Sequence, residues 1–171
     1  MKLTWFGGTA LRINIGGKIL VCDLHEASAE YDRTELASGA DRSFRLDQIL
    51  DRVDLQRWSP RTAIALIDET NEPAEVHVRM AAEGSVLIDG VGEPPLMIMQ
   101  KPVRPGRRWS PSAVIVAFSA TTAAMVLGPA SPRMIALAAG PEEIDTAFLT
   151  LSMRLGSTAL VALEQGMALE V

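Results

Sequence analysis

Only two imidazoles occur in the chain, His25 and His77, and the first stands two residues after Asp23. A carboxylate near a histidine suits general-base chemistry, because it can orient the ring and stabilise its protonated form. The bland counterpart is a loop histidine paired with an acid at the surface. Asp68, Glu69 and Glu72 form a second polar group whose oxygens suit a hard cation such as Mg²⁺ or Ca²⁺. They lack the spacing of a calcium loop and the glycine that forces its turn, which favours a solvated loop. His77 alternates with Val76 and Val78 and is therefore expected on the opposite sheet face, towards solvent or an interface. Asp23 and His25 are thus the catalytic candidates, Asp68 and Glu69 the metal-ligand candidates, and no cofactor-binding residue is expected.

Other chemistries fail on their own requirements. Cys22 is the single cysteine, so neither an intramolecular disulfide nor a thiolate zinc site can form, and between Val21 and Asp23 it reads as core filler. Gly7-Gly8 and Gly16-Gly17 neither open a helix nor precede Gly-Lys-Ser/Thr, so they do not cradle a phosphate. Ser59, Ser110 and Ser131 each precede a proline at a strand start, and no Gly-x-Ser-x-Gly elbow is present. With a net charge of -5 and arginines spread along the chain, no basic face is expected for nucleic acid. The apolar stretch from Ala113 to Ala139 is broken by Gly128, Pro129, Pro132 and Arg133, unlike a membrane span of about 20 apolar residues. Lys2, Arg12 and Lys18 interrupt any secretory apolar core near the start. A cytoplasmic protein without nucleic-acid or membrane partners is expected.

The elements that must position these residues follow from periodicity. Leu3 to Phe6, Ala10 to Ile15 and Lys18 to Cys22 read as an antiparallel meander, with Gly16-Gly17 as a tight hairpin turn. Ala27 to Arg45 reads as a loop. Leu46, Ile49, Leu50 and Val53 repeat at helical spacing and predict a short amphipathic helix with Ser43 upstream as its cap. Strands are expected at Thr62 to Ile67, Val76 to Met80, Ser85 to Ile88, Leu96 to Met99, Ala113 to Phe118 and Met134 to Ala138. Ser119 caps a helix through Leu127, and Pro141 opens another whose buried stripe is Ile144, Phe148, Leu151 and Leu155. Thr158 to Leu163 and Met167 to Val171 read as a closing strand pair around Gln165-Gly166. The C-terminal half is therefore β-α-β-α-β-β, whose crossovers place parallel strands under helices. Arg57-Trp58-Ser59-Pro60 is echoed by Arg108-Trp109-Ser110-Pro111, each ahead of an apolar run, which suggests a pseudo-duplicated fold. With 171 residues and 48% hydrophobic content the chain suits a single domain over 1–171, with halves at about 1–80 and 81–171.

Met1 to Asp23 is similar to the opening of the metallo-β-lactamase superfamily, especially its ascorbate-phosphate-lactonase-like branch, where a strand, a Gly-His turn, a hairpin and a strand ending in Asp follow one another. Gly7-Gly8-Thr9 occupies that turn here. Arg133 to Val171 resembles the end of the same branch, in the helix beginning Pro-Glu-Glu and the closing Val-Ala-Leu-Glu-Gln-Gly-Met-Ala-Leu-Glu-Val. Together the two ends cover 62 of the 171 residues. The resemblance implies an α/β (α+β) class and a four-layer αββα sandwich, shortened by the loss of one or more covering helices.

The resemblance also implies metal chemistry, through a His-x-His-x-Asp-His loop after an apolar strand. The run Thr62 to Ile67 instead leads into Asp68-Glu69-Thr70-Asn71-Glu72-Pro73, and the later family histidine would fall near Ala138-Ala139-Gly140. The expectation is a non-catalytic, metal-free, cofactor-free relative acting through binding or self-association. A homodimer seated on Val91 to Met99 and Trp109 is expected, with no small-molecule ligand indicated. The alternative is a metal-dependent hydrolase of lactones or phosphodiesters, its site rebuilt around Asp23, His25, Asp68 and Glu69 with one divalent ion.

Overall fold

The computed structural model describes residues 1–61, 75–128 and 131–171. Strands β1 (Lys2–Trp5), β2 (Leu11–Ile15) and β3 (Lys18–Cys22) form the expected meander, and Gly16 and Gly17 both take positive φ in its second turn. The segment from Ala27 to Arg45 departs from the expected loop. It contains a one-turn helix, α1 (Arg33–Ala37), and a strand, β4 (Arg42–Phe44), which pairs in parallel with β3. Asp32 caps α1 by accepting from the Thr34 amide at 2.7 Å. Neither element carries an apolar period, so both form because the surrounding chain holds them.

The first sheet has the order β11-β1-β2-β3-β4, where β11 is Ala168–Glu170. The second has the order β10-β9-β8-β7-β6-β5. Its strands are β5 (His77–Ala82), β6 (Ser85–Asp89), β7 (Leu96–Met99), β8 (Val114–Ala117), β9 (Met134–Leu137) and β10 (Ala159–Ala162). Strands β7 to β10 run parallel, joined after β8 by α2 (Ala120–Val126) and after β9 by α3 (Pro141–Leu151). The molecule is thus a mixed α/β protein of two sheets and three helices among the described residues.

Two cores explain why the second sheet is so apolar. Leu96, Ile98, Val114, Val116 and Ala136 pack with Leu3, Leu11, Ile13 and Ile15 of the first sheet. The alternate residues Met97, Met99, Ile115, Ala117, Ile135 and Leu137 pack with Ala123 and Val126 of α2 and Ala147 and Leu151 of α3. A strand covered on both faces needs apolar residues at every position, whereas β2 alternates and turns Arg12 and Asn14 outward. Arg12 donates to the carbonyls of Leu36 and Ser38, which tethers the end of α1 to the first sheet.

The helix expected over Leu46 to Val53 does not form. The Met80 amide donates to the Asp51 carbonyl and the Val53 amide to the Met80 carbonyl, so this stretch runs along β5 as an extended edge. Ile49, which the helix would have buried, is 91% exposed, while Leu46 and Leu50 pack into the first core and Val53 into the second. Ser43 lies in β4 instead of capping a helix. The closing strand pair is also a different structure: β10 joins β9 in one sheet and β11 joins β1 in the other, so the chain crosses between sheets at Leu163 to Met167. In α3, Leu151 is buried and Ile144 and Leu155 pack against the second core as the expected stripe requires, whereas Phe148 is half-exposed and Ala147 is buried beside it. The strand expected at Thr62 to Ile67 lies outside the described residues.

The Arg-Trp-Ser-Pro echo has a physical consequence. Trp58 and Trp109 meet edge to face with ring centroids 4.9 Å apart, and Trp109 Nε1 donates to the Leu55 carbonyl at 2.9 Å. Gly106 lies directly beneath this bond: a Cβ there would sit 2.1 Å from Leu55 O and 2.4 Å from Trp109 Nε1. Gly106→Ala is expected to cost about 2 kcal/mol through overpacking and a weakened buried hydrogen bond, read as a lowered denaturant midpoint.

Candidate functional site

Strand β3 ends at Cys22, and Asp23 turns the chain with φ 43° and ψ 46°. This left-handed conformation is costly for most side chains but accessible to aspartate. The Asp23 amide donates to the Phe44 carbonyl at 3.0 Å, extending the β3–β4 pairing by one bond. Its own carbonyl accepts from the Glu26 amide at 2.8 Å, opening a short 3-10 turn over Leu24–Glu26. The carboxylate is buried, with Oδ2 accepting from Thr9 Oγ1 at 2.8 Å and Oδ1 from the Leu46 amide at 3.2 Å. One side chain therefore joins the β1–β2 turn, the end of β3 and the chain leaving β4. Beside it the Cys22 thiol is held well above its ordinary range by burial, reinforced by the negative charge and hydrogen bonding of Asp23. That thiol stays neutral and packs in the inter-sheet core.

His25 shares this turn but not the carboxylate. Its side chain is half-exposed, Nε2 lies 3.3 Å from Glu26 Oε1, and its carbonyl accepts from Arg33 Nη2 at 2.9 Å. No hydrogen bond or ion pair among the described residues joins Asp23 to His25. His25, Arg33, Ser43, Arg45 and Gln48, with Leu24 and Phe44, line an open cavity of 430 Å³. Arg45 is held by Asp47, whose carboxyl is drawn below its usual range by that hydrogen bond.

The neighbouring Gly7-Gly8 turn is packed shut. A Cβ on Gly7 would lie 2.1 Å from Ser28 Oγ, and one on Gly8 would lie 2.7 Å from the Glu26 carbonyl oxygen. Both glycines have positive φ, so the turn itself disfavours a side chain at either position. Gln165 Nε2 donates to Ser28 Oγ at 2.8 Å and locks the covering segment in place. Ala138 and Ala139 are buried at the end of β9, and Gly140 caps α3. Asp68, Glu69 and Glu72 lie outside the described residues. Among the described residues no group of three His, Cys, Asp or Glu side chains converges as a metal site.

A second constellation escapes sequence reasoning. Asp89, at the end of β6, has a side chain only 3% exposed and receives two arginines. Arg61 Nε donates to Oδ2 at 2.8 Å, and Arg79 Nη1 approaches Oδ1 at 3.4 Å. Arg61 also donates to the carbonyls of Asp89 and Glu75, at 3.0 and 2.6 Å. His77 is partly buried, as expected facing away from Val78; its Nδ1 lies 3.1 Å from Arg79 Nη2. Its Nε2 is 3.0 Å from a Glu75 oxygen but out of line for a hydrogen bond. A carboxylate closing the apolar run Ser85 to Ile88 was the available signal, but its partners lie 28 and 10 residues away.

Comparison with family models, curated proteins and solved structures yields no match. Among the described residues no helix is long and apolar enough to cross a membrane. Asp89 is a structural charge by its contacts, since Arg61 thereby joins the chain on both sides of residues 62–74. Asp89→Ala is expected to cost about 3 kcal/mol in denaturant unfolding, because it strands two partly buried guanidinium groups.

Proposed function

We propose that the chain is a metallo-β-lactamase-like domain that works without metal turnover, through binding or self-association. Two facing mixed sheets with helices outside are compatible with a shortened form of that sandwich. The observation that carries the proposal is the state of Asp23. The residue matching the family's strand-ending aspartate lends both oxygens to Thr9 and Leu46. A carboxylate engaged by neutral donors in this way is a backbone organiser. The filled Gly7-Gly8 turn supports the same reading, since Ser28 and Glu26 occupy the space into which a ligating side chain would project.

For self-association we infer a different surface from the expected Val91 to Met99 and Trp109. Leu96 to Met99 are fully buried and Trp109 is 2% exposed, because they fill the two cores. Apolar side chains on the outside are instead displayed by α3 and the turn after it, where Phe148 is 41%, Leu149 82% and Met153 96% exposed. A second copy seated across these residues would bury them in an isologous contact.

Elemental analysis after dialysis, with unfolding midpoints measured in added zinc or manganese, tests the proposal. Less than stoichiometric metal and an unmoved midpoint are expected, because an ion bound only by the native state would raise it. Stoichiometric retained metal would overturn the proposal in favour of a metal-dependent hydrolase. Sedimentation equilibrium of the same sample reads the self-association, which Leu149→Arg is expected to weaken.

A further inference from the structure

A second cavity, of 420 Å³, opens between the segment that leads into β8 and the end of α2, from which the chain goes on to β9. Connectivity places it at the opposite end of the sandwich from Asp23. The turn after β10 reaches Ser28 and Trp5 at the Asp23 end, through Gln165 and the Gly166 amide, and β8, β9 and β10 are parallel. Their first residues therefore lie at the other end. The cavity is lined by Gln56, by Arg104, Pro105 and Arg107 of the segment before β8, and by Met125, Val126, Leu127 and Gly128 at the end of α2. Its size and its mixture of an apolar wall with a few polar groups suit a small organic ligand.

The two arginines are exposed and carry no ion pair among the described residues, as is true of several other arginines in the chain, but these two line a cavity. Arg45, Arg57, Arg61 and Arg79 each have a carboxylate partner, whereas among the described residues Arg104 and Arg107 have none. No Asp or Glu occurs between Glu93 and Glu142, so the segment that carries the two arginines has no acid of its own, and Asp54, two residues before the lining Gln56, is paired with Arg57. The exit of α2 does not account for them. There the Ala124 carbonyl is taken by Arg154 and the Gly128 carbonyl by Ser131 Oγ.

The seat of the arginines is also preorganised. Pro105 and Gly106 between them are buried, the Ser110 amide donates to the Gly106 carbonyl at 3.0 Å, and Trp109 locks the turn to Leu55. Fixing a loop before binding removes part of the entropic cost of association. Guanidinium groups match the oxygens of phosphate, sulfonate or carboxylate through paired hydrogen bonds.

We infer that this cavity binds a small amphipathic organic anion. Its charged head is held by Arg104 and Arg107, and its apolar body lies against Pro105, Val126 and Leu127. The site is independent of the proposed absence of metal chemistry at the other end of the molecule.

Calorimetric titration with octyl phosphate, below its micelle concentration, tests this directly, with inorganic phosphate and octanol as separate arms. Saturable binding of octyl phosphate is expected, weakened on the order of tenfold by Arg104→Gln and Arg107→Gln together and by added salt. Both arginines are exposed, so an unchanged unfolding midpoint is expected in the variant. Absence of saturable binding, or full affinity in the double variant, would overturn the inference. Octanol binding as tightly as octyl phosphate would refute the role of the arginines, and equally tight inorganic phosphate would refute the apolar wall.

Discussion

Asp23 holds three separate segments at one end of the sandwich, and it does so with a buried charge in a left-handed turn. Thr9 from the β1–β2 turn and Leu46 from the chain leaving β4 both donate to its carboxylate, while its amide continues the pairing of β3 with Phe44. A buried carboxylate is costly unless its oxygens are hydrogen-bonded, so each of these donors constrains where its segment runs. The exit from β4 then sets the path of Leu46 to Val53, which continues as the cover along β5. One side chain thereby links the geometry of the first sheet to the edge of the second.

The second sheet supplies the rigidity that makes this possible. Its central strands divide their alternate residues between an inter-sheet core and a helix-covered core, leaving no polar face. The pair of buried Trp109 with partly buried Trp58, and the Asp89 cluster, fasten the remaining long connections to this sheet. The two polar cavities lie at opposite ends of the sandwich. One end carries the Asp23 turn and the His25 cavity, and the other carries the cavity with Arg104 and Arg107 beside α2.

Much of the framework is legible in the sequence because period and punctuation agree. The alternation of Leu11, Ile13 and Ile15, the unbroken apolar runs of β7 and β8, Ser119 as a cap and Pro141 at a helix start all act locally. The false helix at Leu46 to Val53 arose because spacing cannot show that the Asp51 and Val53 backbone is claimed by Met80. Likewise, Gln165-Gly166 resembles a hairpin turn, yet the strands on either side join different sheets. Asp23 was identifiable as a residue to watch. Its structural office was not, since Thr9 and Leu46 lie 14 and 23 positions away. The tie from Asp89 to Arg61 is hidden by the same separation.

Asp23 as a clamp is most directly tested by a double-mutant cycle of Asp23→Asn and Thr9→Val in denaturant unfolding. The clamp requires Asp23→Asn to destabilise by about 1–3 kcal/mol, with a coupling to Thr9 of about 1 kcal/mol. A neutral or stabilising Asp23→Asn, as often follows when a residue retained for chemistry is replaced, would contradict it.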